Sequence, residues 1–258
     1  MHNHLWSFSF IKKFSLSTFL TFSLLLISSN SFAQFAGGSG TQADPYQIST
    51  LQQLQDMKNN RGANFILIND INASATDTMN NGDGFEPIGD LSNRFTGSFN
   101  GQYYTIDSLY IDRSSYTGLF GYAENATISN INLTNVDVRG FSSTGSIVGE
   151  TRFATLTNVS ATGVVHGSSA TGGLIGRALG SINNSYADVR VSGSTYSGGL
   201  VGRGAPNITN SYALGNVSAS NRDAGGLIAL SGGVITNSYS KGSVTRGGTK
   251  GGLVGSTS

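Results

Sequence analysis

A glycine-rich pentapeptide recurs at a nearly constant interval along this chain. Full copies of Gly-Gly-Leu-(Ile/Val)-Gly begin at Gly172, Gly198 and Gly251, and degenerate copies begin at Gly145 and Gly225. Together with an earlier half-copy, they place apolar residues 26 to 28 positions apart, at Leu119, Ile147, Leu174, Leu200, Leu227 and Leu253. A period of this length is typical of stacked supersecondary units rather than of one globular core.

Two further apolar columns share this period. The first column is Ile128, Leu156, Ile182, Ile208 and Ile235, and the second is Val165, Val191, Val217 and Val244, with Val138 in the earliest repeat. Three short apolar strands per repeat, separated by Gly, Ser and Asn turns, predict an all-β fold: a right-handed parallel β-helix with about 26–28 residues per coil. Leucine-rich repeats, helical solenoids and propellers fit the pattern less well, because their ladders, periodicity or repeat lengths are absent.

One polar column runs in register with the apolar ones. It consists of Asn130, Asn158, Asn184, Asn210 and Asn237. Each amide carries a donor and an acceptor, so stacked asparagines can hydrogen-bond along the solenoid axis, and a structural ladder is predicted. Two positions later, a tyrosine column, Tyr186, Tyr212 and Tyr239, predicts stacked aromatic rings, which the sequence assigns neither to the core nor to the solvent.

The N-terminus has the layout of a secretory signal peptide. Lys12 and Lys13 precede an uncharged apolar run, and Ser31-Phe32-Ala33 forms a small-x-small cleavage site, so residues 1–33 are predicted to be removed. The apolar run is too short for a transmembrane anchor. Without these two lysines the chain has 13 basic and 14 acidic residues, which gives no electrostatic case for nucleic acid or anionic lipid. The chain has no cysteine, so disulfides and thiol chemistry are excluded.

The segment before the repeats is predicted to cap the solenoid. Ser49-Thr-Leu-Gln52 resembles a capping box that opens a short helix to about Asn59, and residues 64–69 are a predicted strand. We therefore expect an N-terminal cap at 34–75, a transition with the first coils at 76–117, and repeats at 118–258. Because no capping pattern follows the last repeat before Ser258, the chain is expected to be a fragment of a longer array or the product of a truncated open reading frame.

Several motifs in fixed order resemble those of bacterial GLUG-motif surface proteins. They are Asp44-Pro-Tyr-Gln-Ile-Ser-Thr50, Asn69-Asp-Ile71, Pro87-Ile-Gly89, Phe95-x-Gly-x-Phe-x-Gly101 and the repeated pentapeptide. The resemblance extends over residues 40–258. It implies a secreted or cell-surface, adhesin-like protein. GLUG repeats also occur in immunoglobulin-A1-specific zinc metallopeptidases, outside the catalytic unit, so a non-catalytic region of such an enzyme is a further possibility.

The sequence contains no pattern for nucleophilic or zinc chemistry. Histidines occur only at His2, His4 and His166, so neither His-Glu-x-x-His nor a Ser-His-Asp triad can be assembled in the mature chain. The stretch Asp77–Glu86 departs from an EF-hand loop, because Met79 occupies the first ligand position. No catalytic, cofactor-binding or metal-ligating residue is predicted.

The alternative function is a carbohydrate-binding or carbohydrate-active β-helix, the latter similar to polysaccharide lyases. Catalysis would require two carboxyls about 5–10 Å apart, and Asp107, Asp112 and Asp137, with Arg139, are the candidates. An offset of five would put Asp107 and Asp112 on opposite faces of one continuous strand. Ice binding would need aligned Thr-x-Thr rows, and only Thr155-Leu-Thr157 has that form.

The leading interpretation is a non-enzymatic, adhesive or structural β-helix of a secreted bacterial surface protein. The expected partners are a surface ligand of glycan or protein character and further repeats of the same chain. Neither nucleic acid binding nor membrane insertion after removal of the leader is expected.

Overall fold

A computed structural model describes residues 34–257, which form a parallel β-solenoid. This confirms the predicted fold class. The predicted signal peptide at 1–33 lies outside the described residues. The described part contains one short α-helix, Leu51–Asp56, followed by the 3₁₀ helices Met57–Asn59 and Ser74–Gly82.

Most strands are short, although Thr127–Gly140 has 14 residues and Val148–His166 has 19, and paired strands are parallel. Strands β1 to β8 are Tyr46–Ile48, Asn64–Leu67, Ile71–Asn72, Ser98–Asn100, Thr105–Asp107, Tyr110–Arg113, Phe120–Glu124 and Thr127–Gly140. Strands β9 to β16 are Ser143–Thr144, Val148–His166, Ala170–Gly172, Ile175–Asn183, Tyr186–Gly193, Tyr196–Gly198, Val201–Thr209 and Tyr212–Ala213. Strands β17 to β24 are Val217–Ala219, Ala224–Gly225, Ile228–Ser231, Ile235–Thr236, Tyr239–Ser240, Val244–Thr245, Lys250–Gly251 and Val254–Thr257.

The division of each coil into strands differs from the prediction. One strand, such as β12, contains both the end of the pentapeptide and the isoleucine block. A corner at asparagine leads to a second strand, such as β13, which carries Val191 of the valine column. The third strand, such as β14, ends on the first glycine of the next pentapeptide. The pentapeptide therefore spans a corner, and its leucine turns into the core between two strands.

Register keeps equivalent side chains above one another. One apolar column is paired from coil to coil, and its members are at most 1% exposed. Its members are Phe65, Phe99, Ile128, Leu156, Ile182 and Ile208. Two predicted core residues depart from this pattern. Leu253 is 36% exposed and Ile235 is half-buried. Both belong to the last described coil, which is packed against a neighbouring coil on one side.

The N-terminal segment already belongs to the solenoid ladder. Strand β1 pairs with β2, and β2 pairs with β4, so the helix Leu51–Asp56 is inserted between the first two rungs. Phenylalanines pack in the core of this end of the solenoid. The ring centroid of Phe95 lies 6.4 Å from that of Phe65 and 4.7 Å from that of Phe120. The predicted capping box is displaced by one residue: Thr50 caps the helix, and the side chain of Gln53 accepts from Ser49 N.

A column of hydroxyls is buried beside the third strand. Thr117, Thr144, Thr171 and Ser197 are paired in register and fully buried. Within the described residues, the hydroxyls of Thr144, Thr171 and Ser197 have no hydrogen-bond partner, whereas Thr117 Oγ1 donates to Arg113 O at 3.2 Å. Burying a hydroxyl without a partner costs free energy.

Thr171→Val is therefore expected to leave the protein equally stable or to stabilise it by up to about 2 kcal/mol, since the substitution removes an unsatisfied buried hydroxyl at nearly constant shape. The matched change Thr117→Val removes a hydroxyl that makes a hydrogen bond and is expected to destabilise by about 1 kcal/mol. Urea unfolding followed by circular dichroism measures both. A destabilised Thr171→Val variant would show that the hydroxyl is satisfied in solution.

Candidate binding surface

The asparagine column forms one corner of the solenoid. Asn130, Asn158, Asn184, Asn210 and Asn237 all adopt a left-handed backbone conformation, with φ between 48° and 55°. Among residues with a side chain, asparagine adopts this conformation most readily. The recurrence of asparagine thus has a backbone cause, which spacing alone could not show.

The amides of this column are bonded in two separate groups. Asn130 Nδ2 donates to Asn100 Oδ1 at 3.0 Å, and Asn158 Nδ2 donates to Asn130 Oδ1 at 2.8 Å. Further along, Asn210 Nδ2 donates to Asn184 Oδ1 at 3.2 Å. Between Asn158 and Asn184, and between Asn210 and Asn237, the described structure has no amide–amide bond. The predicted continuous ladder is therefore interrupted twice.

A serine follows each of the last three corner asparagines and connects the coils. Val159 N donates to Ser185 Oγ at 3.2 Å, and Ser185 N donates to Ser211 Oγ at 3.1 Å. Each hydroxyl in turn donates to the carbonyl two residues earlier in its own coil; for Ser211 this bond, to Thr209 O, is 2.9 Å long. Ser185 and Ser211 are buried, so these bonds satisfy backbone groups that water cannot reach.

Ser211→Ala is expected to destabilise the protein by about 2 kcal/mol, because it removes two hydrogen bonds and leaves the buried N–H of Ser185 without an acceptor. The control is Ser218→Ala, since the half-buried Ser218 makes no side-chain hydrogen bond within residues 34–257. Chemical denaturation compares the two variants. Equal loss of stability in both would contradict the connecting role of Ser211.

The tyrosine column forms a regular stack next to the corner. Tyr186, Tyr212 and Tyr239 have ring centroids 5.0 Å apart and planes within 5° of parallel. Desolvation raises the pKa of the middle tyrosine, Tyr212, with a further contribution from the two flanking rings. The stack begins at Tyr186, because the residue paired with it in the preceding coil is Ser160.

A groove of ≈ 220 Å³ lies beside the start of this stack. Its lining is Tyr103, Asn130, Ile131, Asn132, Asn158, Val159, Ser160, Asn184 and Tyr186. Tyr103 is 72% exposed and is anchored by its backbone N–H, which donates to Asn130 O at 2.9 Å. It has φ of 64° and belongs to no repeated column, so the sequence periodicity gave no signal for it.

The candidate acids differ in their strand positions and in their hydrogen-bond and ion-pair partners. Asp107 ends β5 and Asp112 lies in β6, and the left-handed corner at Ser108 separates the two strands. The expected continuous strand from Asp107 to Asp112 is thus wrong, because the corner at Ser108 breaks it. Asp137 forms a two-bond ion pair with Arg139, at 3.1 and 2.8 Å, and Arg139 is also paired in register with Asp112.

Hydrogen bonds hold Asp107 in its ionised form. The side chains of Thr134, Ser108 and Asn135 donate to its carboxylate and lower its pKa, in that order of importance. A general acid in glycoside hydrolysis needs a raised pKa instead. The geometry around Asp107 therefore supports a structural role in which the carboxylate ties together two coils.

Charged residues near the pentapeptides make further contacts, some of them between coils. Arg177 approaches Glu150 at 3.4 Å, whereas the guanidinium groups of Arg203 and Arg222 lie 5.3 and 5.1 Å from the ring centroid of Tyr196. An exposed ion pair contributes about 0–1 kcal/mol.

Across residues 34–257 there is no cluster of three metal-ligating side chains. In the same part of the chain, no helix has both the length and the apolar character needed to span a membrane.

Comparisons with protein families agree with this architecture. Residues 45–163 match the model of the M26 IgA1-specific metallo-endopeptidase N-terminal region, and residues 167–192 match the GLUG motif. The chain therefore carries the GLUG motif, which confirms the resemblance inferred from the pentapeptide and the motifs that precede it.

Two curated relatives share about half of the chain or less. Halomucin of Haloquadratum walsbyi is 42% identical over 148 residues, which are 54% of this chain and 2% of halomucin. A protein of Evansella cellulosilytica, provisionally named a Gly-rich membrane protein, is 43% identical over 105 residues, which are 39% of this chain and 12% of the relative. The chain thus matches only a small part of each of these longer proteins.

A solved structure has the same fold. It is a Bacteroides ovatus chain provisionally named an immunoglobulin A1 protease, with a TM-score of 0.76 and 23% identity over 86% of this chain and 74% of that chain. At this identity the similarity establishes the parallel β-solenoid alone.

Proposed function

We propose that this GLUG-containing β-helix is a non-catalytic segment of a bacterial cell-surface protein and that it attaches to a ligand through its lateral faces. The observation that supports the proposal is the repetition of the same side chains along one side of the solenoid. Each coil has an asparagine at its corner, and three coils also have a tyrosine beside it. A surface repeated at each coil provides several equivalent contact points along one axis, which favours multivalent attachment.

The comparisons support a surface location for the intact protein. Its relatives are named halomucin and a Gly-rich membrane protein, and the matched family region belongs to the M26 metallo-endopeptidases. The signal peptide predicted at residues 1–33 is consistent with export, and we propose that the chain is secreted or displayed at the cell surface.

A second function follows from the family match at 45–163. The segment would serve as the non-catalytic N-terminal region of an IgA1-specific metallo-endopeptidase and would contact immunoglobulin A1. The discriminating experiment is direct binding of the purified full chain to immobilised immunoglobulin A1, with immunoglobulin G as the control. Selective binding would favour this function over general attachment.

The main proposal is tested by two measurements on the purified full chain. The chain is incubated with polysaccharides and with immunoglobulin A1, and the products are analysed by mass spectrometry; intact substrates are expected. Retention of the chain on bacterial cells and on polysaccharide-coated surfaces is measured in parallel, and retention above that of an unrelated secreted protein is expected. Efficient turnover of either substrate, or no retention on any surface, would overturn the proposal.

A further inference from the structure

The groove between Tyr103 and Tyr186 is lined by both aromatic and amide side chains. One column of residues paired from coil to coil runs through this groove. In chain order it consists of Thr105, Asn132, Ser160, Tyr186, Tyr212 and Tyr239. The small Ser160 therefore lies beside one side of the first tyrosine ring, whereas the other side is covered by Tyr212 at 5.0 Å. Tyr186 consequently presents an uncovered aromatic face to the groove.

Tyr103 supplies a second aromatic wall. It is 72% exposed, although its hydroxyl lies 3.4 Å from Asn158 Nδ2, so its ring stands over the asparagine corner rather than in the core. An exposed ring of this size leaves apolar area in water that a bound ligand would bury. Two aromatic side chains thus flank a polar floor.

The floor holds the first interruption of the asparagine column. Asn158 Nδ2 is already bonded to Asn130, and Asn184 Oδ1 accepts from Asn210. The remaining acceptor, Asn158 Oδ1, and the remaining donor, Asn184 Nδ2, make no side-chain hydrogen bond within the described structure. One acceptor and one donor on neighbouring coils are therefore available to a ligand.

The polar groups nearby are already satisfied and hold the floor rigid. Ser160 Oγ donates to Asn132 Oδ1 at 2.6 Å, and Asn132 Nδ2 donates to Thr105 Oγ1 at 3.3 Å. A site with fixed polar groups loses little conformational entropy on binding.

The lining contains no charged side chain, so neither anionic nor cationic ligands would find an opposite charge there. A peptide strand cannot add to the sheet at this point, because Ser160 is paired on both sides, with Asn132 and with Tyr186. The volume of ≈ 220 Å³ is below the range of about 300–1,000 Å³ that holds drug-sized ligands, and it suits a single ring.

We infer that this groove binds one sugar unit of a neutral glycan. The C–H face of the sugar would pack on the Tyr186 and Tyr103 rings, and its hydroxyls would bond to Asn158 Oδ1 and Asn184 Nδ2. Sugar hydroxyls donate and accept in the same way as the amides that they would meet. The inference rests on the proposed attachment function and names the ligand class for it.

The test is titration of the purified full chain with neutral oligosaccharides. Cellohexaose, chitohexaose and mannohexaose are the probes, and binding is measured by isothermal titration calorimetry and by saturation-transfer NMR. At least one probe is expected to bind, and Tyr103→Asn and Tyr186→Ser are each expected to weaken it at least tenfold. Asparagine at 103 suits the positive φ, so this variant removes the ring without straining the backbone.

Two further variants separate a binding effect from a folding effect. Asn184→Asp keeps the size of the side chain but removes the free donor, and it is expected to weaken binding severalfold with an unchanged circular dichroism spectrum. Tyr104→Asn, at a tyrosine that is 37% exposed and outside the groove lining, is expected to bind as the parent does.

The outcomes distinguish this inference from the function on which it rests. If no probe binds, or if the groove variants and Tyr104→Asn bind alike, the glycan site is wrong, even where the chain is still retained on cells. If the chain binds the glycan and also cleaves it, the site stands and the non-catalytic function fails.

Discussion

Gly199→Ala is expected to destabilise the solenoid by about 3 kcal/mol or more, which is the range of severe overpacking in a core. Gly199 is the second glycine of its pentapeptide and has an ordinary φ. A Cβ at this position would lie 2.1 Å from Gly226 O in the next coil and 2.7 Å from the Cβ of Ala213. The carbonyl belongs to the backbone of a neighbouring rung, so it cannot move without disturbing the ladder.

The matched control is Gly252→Ala, at the equivalent position of the last pentapeptide. A Cβ on Gly252 would meet nothing within 4 Å, so this change is expected to alter stability by less than about 1 kcal/mol. Urea unfolding monitored by circular dichroism, together with limited proteolysis, measures the difference. Similar unfolding midpoints for the two variants would show that the glycine is not required by contact between coils.

Leu174→Ala is expected to destabilise by about 2–5 kcal/mol, the usual cost of removing a buried leucine side chain. Leu174 is fully buried at the corner between two strands of its coil. Because stability in a solenoid is transmitted through contacts between neighbouring coils, the loss is expected to unfold adjacent coils as well. Hydrogen exchange read by mass spectrometry would locate the weakened coils.

Leu253→Ala provides the comparison at the same repeat position. Leu253 is 36% exposed, so its truncation loses less apolar burial and is expected to cost about 1 kcal/mol or less. If both leucine variants lost the same stability, the burial of the leucine column would not be what stabilises the central coils.

Much of the fold follows from the periodicity of the sequence. The 26–28 residue spacing of Leu119 to Leu253 predicted the solenoid, and the motifs from Asp44 to the pentapeptides predicted the GLUG resemblance; the structure and the family comparisons confirm both. The bounds of the individual strands were harder to predict from the sequence. The pentapeptide spans a corner, and the helix at Leu51–Asp56 lies between rungs of the ladder, because pairing with neighbouring coils overrides local pattern.

The candidate groove could be predicted only in part. The asparagine and tyrosine columns are visible in the sequence as residues in register. Tyr103 is not, since it belongs to a unique loop with a positive φ, and its position over Asn158 depends on coils that are 55 residues apart. Likewise, sequence spacing cannot distinguish a bonded pair of amides from an unbonded pair, because a hydrogen bond depends on the distance and orientation of the two amides and not on register alone.

The sequence by itself determined the type of fold and the columns, because a repeated pattern of apolar, glycine and asparagine residues specifies equivalent coils whatever their detailed geometry. The tertiary structure decided where the corners fall and which neighbouring amides of the asparagine column, beside Tyr186, are not bonded to each other. It also decided that Tyr103 lines the groove. These features depend on distances between residues from different coils, and such distances are fixed by packing and register rather than by local sequence.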